Sequence, residues 1–138
     1  MNTHQRTYTT WVVFALSVLV LQACSILDPM RAAETTEQRA FAAYGTYVIF
    51  VERAAELMDS PALSDDNKLR IIAAVETSTT VTGELFNAMS EYEAAKALLD
   101  QGQTTEERVL IASQNLNSWV EKAMPLIQNL ISAIQGAT

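Results

Sequence analysis

The chain of 138 residues has one cysteine, Cys24, and one histidine, His4. A lone cysteine closes no disulfide within the chain, and zinc sites built from Cys and His need several such ligands. Three prolines and four glycines mark the few points where helices are expected to start, bend or stop. Basic residues are also scarce, 9 Lys and Arg against 16 Asp and Glu, for a net charge of −7. Such a surface repels nucleic acid and anionic head groups, so neither is expected as a partner held by basic patches. No apolar run is long. The thirteen residues from Trp11 to Ala23 carry no charge, whereas a helix crossing a bilayer needs about 20.

What is present begins with that run. It follows a short polar segment, MNTHQRTYTT, whose fixed positive charges are the amino terminus and Arg6. A charged start and a short apolar core form the layout of a secretory signal peptide. The run ends in Leu21-Gln22-Ala23-Cys24, which resembles the lipobox of bacterial lipoproteins, where a cysteine follows a leucine and a small residue. Gln22 departs mildly, since that position is more often small. The resemblance implies that Cys24 takes a diacylglycerol on its sulfur, that cleavage falls after Ala23, and that the new amino group is acylated. The chemistry suits the residues. A thiolate is the strongest nucleophile in the region, a small Ala23 lets a peptidase approach the bond, and two or three acyl chains hold where one is marginal. Ser25, in place of the aspartate that tends to retain lipoproteins at the inner membrane of enteric-type bacteria, favours the outer membrane by the same resemblance. The alternatives are an ordinary signal peptide that leaves a free cysteine, or an uncleaved anchor.

Cleavage there leaves 115 of the 138 residues, with eight basic against sixteen acidic side chains and a net charge of −8. That length is one domain. The only histidine leaves with the leader and the only cysteine is consumed by lipid, so no zinc site, Cys nucleophile or His base remains. No enzyme activity, metal or cofactor is expected beyond the lipid on Cys24. The expected organisation is a leader over 1–23, a lipidated tether over 24–34, in which Asp28-Pro29 disfavours an early helix, and a helical domain over 35–136.

The domain is expected to be all-α. Thr35 and Gln38 form a capping box at the start of the first helix. Phe41, Tyr44, Val48, Val51, Ala55 and Met58 recur at helical spacing beside a second row of Ala43, Tyr47, Phe50, Ala54 and Leu57. Tyr44 to Val51 alone could be a β-strand, but alanines and alternating charges flank it and no second strand exists to pair with it. Asp59-Ser60-Pro61 stops this helix, and Ser64 with Asp65 and Asp66 starts the next. The second helix is expected to bury Ile71, Ala74, Ser78, Val81, Leu85, Ala88, Tyr92, Ala95 and Leu99. Its weak stretch is Thr77 to Gly83, TSTTVTG, where a bend or a break is expected. Gly102 caps its end, and Thr104-Thr105-Glu106-Glu107 reads as a second capping box. The third helix carries Val109, Ala112, Leu116, Trp119, Ala123, Leu126, Leu130 and Ala133 beside Leu110, Val120, Met124, Ile127, Ile131 and Ile134, with a kink at Pro125. Short connections make the expected architecture an up-down-up bundle of three long antiparallel helices.

The apolar arc at the end of the third helix is wider than one core face requires. Either that helix is central and covered by both others, or Ile127, Ile131 and Ile134 form a docking patch for a protein partner or a second copy. Tyr44, Tyr47 and Tyr92 are expected to pack with their hydroxyls at the bundle edge. Glu91, Glu93 and Lys96 read as a solvated face with local ion pairs. Glutamates two apart on a helix do not face each other, which argues against acid and base roles for the pair. The functional expectation is a tethered periplasmic interaction or scaffold module at the outer membrane, with a carrier of an apolar ligand inside the bundle as the alternative.

Overall fold

The computed structural model describes residues 33–137, which contain three helices and no strand: α1 (Thr36–Met58), α2 (Asp65–Asp100) and α3 (Glu106–Gln135). Tyr44 to Val51 is helical within α1, as the flanking alanines and charges require.

The helix ends are set by local chemistry. Thr35 holds an extended backbone at φ −104° and ψ 157°. Its hydroxyl accepts from the Gln38 amide at 3.1 Å, and the Gln38 side chain accepts from the Thr35 amide at 3.2 Å. Two donors that the first turn leaves without partners are thereby satisfied. Ser64 caps α2 with a single bond, accepting from the Asn67 amide at 3.3 Å, and Asp65 and Asp66 place negative charge at the positive end of the helix dipole. At the far end of α2, Gly102 takes φ +68°, the left-handed conformation that glycine enters without steric cost. The Gln103 amide donates to the Leu98 carbonyl at 2.8 Å and the Gly102 amide to Leu99 at 2.9 Å, a Schellman closure. The start of α3 departs from the expected box. Thr105, not Thr104, is the cap residue, and no side-chain cap bond forms. Glu106 and Glu107 contribute there through charge alone.

α2 stays helical through Thr77–Gly83, so the expected break does not occur. Its hydroxyls bond back along the helix. Thr77 Oγ1 donates to the Ala73 carbonyl at 2.7 Å, Ser78 Oγ to Ala74 at 2.8 Å, Thr79 Oγ1 to Val75 at 2.7 Å and Thr82 Oγ1 to Ser78 at 2.7 Å. Residues whose polar groups ordinarily compete with a helix are absorbed into it. Ser78 and Thr82 can therefore lie in the core.

Each helix packs against the other two, most extensively α2 against α3. The core is formed by Ile71, Leu85 and Ala88 from α2, Leu116, Val120, Ala123, Ile127 and Leu130 from α3, and Ala40, Ala43, Phe50 and Ala54 from α1. The buried stripe of α1 is thus its alanine-bearing row, joined by Thr46. Of the row containing Phe41 and Val48, both of those residues and Ala55 are exposed. Small residues let α1 approach the other helices closely, and the bulky neighbours turn outward. Among the described residues, every buried side-chain nitrogen and oxygen has a hydrogen-bond partner.

Candidate functional site

Leu21, Ala23, Cys24 and Ser25, which carry the lipobox reading, lie outside the described residues. Of the two readings of the end of α3, the docking patch is corrected and the covered helix fits. Ile127 is wholly buried and Ile131 and Ile134 are 6% and 3% exposed, so they are core side chains facing the other helices and offer no surface. The wide apolar arc of α3 reflects burial on more than one side.

The α1–α2 seam carries a polar tie and an aromatic cluster. Lys96 Nζ lies 3.0 Å from Glu37 on α1 and 3.5 Å from Glu93 on its own helix, with the Tyr92 ring 5.2 Å away. The hydrogen bond to Glu37, aided by the charges of Glu37 and Glu93, raises the Lys96 ammonium above its ordinary range against a smaller opposing effect of burial. Further along, the Tyr47 hydroxyl is 2.9 Å from Thr79 Oγ1, and the Tyr44 ring packs 5.4 Å from Phe86. Tyr44, Tyr47 and Tyr92 are all half-buried. Glu91 and Glu93 stay exposed, and Glu91 accepts from the Asn115 side-chain Nδ2 at 3.4 Å. Among the described residues, no three His, Cys, Asp or Glu side chains gather as a metal site would need.

The second surface is a groove of about 440 Å³ between the end of α2 and the start of α3. Ala94, Ala95, Leu98, Ile111 and Ala112 make most of its lining apolar. Arg108 stands at one end, without an ion pair among the described residues, and Glu91 and Asn115 lie at the other. Ile111 is 57% exposed and its neighbour Leu110 is 58% exposed.

These exposed side chains were missed by periodicity because it seeks the buried rows. A usable signal was nevertheless present. Ile49, Leu69, Ile72, Phe86, Leu98 and Ile111 are large apolar residues outside every expected core row, and all are exposed.

No family model matches the chain, and no curated protein or solved structure matches it.

Proposed function

We propose that the chain is a lipoprotein whose helical domain acts, without catalysis, as a membrane-tethered interaction module at the periplasmic face of the outer membrane. Cys24 would carry the diacylglycerol and N-acyl chains, Leu21 and Ala23 would guide cleavage, and Ser25 would direct sorting. The observation carrying the interaction role is the exposure of Leu98 and Ile111 along one groove on an acidic helical body. Contiguous apolar surface on a small domain usually marks a contact site.

The helices in this reading run up, down and up. Supporting pairs join later positions of α1 to earlier positions of α2: Glu37 with Lys96, Tyr44 with Phe86, and Tyr47 with Thr79. A bend in α2 is supported by the back-bonded hydroxyls of Thr77 to Thr82. A kink in α3 is supported by Pro125, which denies the Glu121 carbonyl its backbone donor.

Membrane fractionation with Cys24→Ala tests the anchor. The variant should leave the membrane fraction, and unchanged association would refute lipidation at that sulfur. Crosslinking in membranes followed by pull-down tests the module, which requires a reproducible protein adduct.

A further inference from the structure

We infer that the groove between α2 and α3 is a self-association surface, occupied by the same groove of a second copy. The inference rests on reading the domain as an interaction module and names its partner. The distribution of charge and side-chain size along the groove carries it.

Arg108 and Asn115 are seven positions apart on α3, two turns or about 10 Å at 1.5 Å per residue. Asn115 hydrogen-bonds Glu91 across the groove. The groove therefore has a free cation at one end and a carboxylate at the other, with an uncharged lining between them. Such a pattern is self-complementary. A two-fold axis running across the groove, perpendicular to the helices, sets Arg108 of each copy over the Glu91 end of the other. Two reciprocal ion pairs result, the arrangement an isologous interface demands. Between them, near the axis, Ile111 of one copy faces Ala112 of the other. Large against small is how facing helices interdigitate. An occupant of uniform charge would match one end only. The net charge of −7 makes two copies repel at most relative orientations, and this orientation answers it with opposite charges at both ends. Glu37 is tied to Lys96, next in sequence to the lining residue Ala95. The start of α1 thus lies level with the groove.

The test uses the full chain extracted in detergent, with two distinguishable tags and native mass spectrometry. The wild type should give dimers. Arg108→Glu alone and Glu91→Arg alone should each weaken dimerisation roughly tenfold or more, because like charges then meet at both ends. Mixing the two single variants should restore dimers containing one copy of each, since every unlike pair is regained between chains. Circular dichroism should show both variants folded, as both positions are exposed. A monomeric wild type, single variants that dimerise normally, or a mixture that yields no mixed dimers would each overturn the inference. A monomeric wild type that still captures a different protein on crosslinking would overturn self-association and leave the module reading standing.

Discussion

At the scale of single residues, the helices are held where side chains satisfy backbone groups and loosened where they do not. Thr35 makes a reciprocal box, whereas Thr104 lies before the cap residue of α3. Thr35→Ala should therefore cost about 1 kcal/mol in urea unfolding, and Thr104→Ala should leave the midpoint unchanged. Gly83 lies inside α2 with nothing within 4 Å of where a Cβ would stand. Gly83→Ala should accordingly stabilise by about 0.5–1 kcal/mol through backbone entropy. Lys96 adds a dependence on pH. Its folded-state value is raised above 10.5, so the stability it contributes is full below that value and is lost as pH climbs through the raised one. Lys96→Met should flatten the alkaline limb of a stability–pH curve, and an unchanged limb would show that the Glu37 tie contributes nothing. The caps at Thr35 and Ser64 were legible because a hydroxyl placed just before a helical run dictates them. The start of α3 was not, because two adjacent threonines present the same pattern and only the geometry of the preceding Gly102 turn chooses between them.

At the scale of elements, helical spacing identified all three helices and most of the buried positions on α2 and α3. It failed to choose between the two rows of α1, since both are apolar at the same period. Packing decides: a row with Ala40, Ala43 and Ala54 brings backbones close, and Phe41 and Val48 are left outside. The same competition settles α3. Ile127, Ile131 and Ile134 are covered, while Leu110 and Ile111, nearer the Gly102 turn, are not. A paired substitution separates these environments. Ile131→Glu should bury an unpaired carboxylate and cost on the order of 4 kcal/mol, enough to unfold a small domain. Leu110→Glu should change stability by no more than about 0.5 kcal/mol. Thermal melts by circular dichroism would read both, and a stable, cooperatively folded Ile131→Glu protein would contradict the burial of that face.

At the scale of the whole molecule, charge and tether constrain each other. No described helix is long and apolar enough to cross a membrane, and the chain carries an excess of seven negative charges. A body of that sign gains nothing from anionic lipid head groups, whose attraction is reserved for basic segments and is screened within about 8 Å at physiological salt. If acyl chains on Cys24 hold the protein, attachment is hydrophobic and indifferent to ionic strength. Washing membranes with molar salt should leave it in place, and only detergent should release it. Release by salt would mean that a charged partner, and not lipid, supplies the grip. On that proposal, sorting would rest on the residue after the cysteine. In an enteric host Ser25→Asp should move the protein from the outer to the inner membrane fraction on a density gradient while its resistance to salt persists. An unchanged gradient position would break the link between Ser25 and destination without touching the anchor itself.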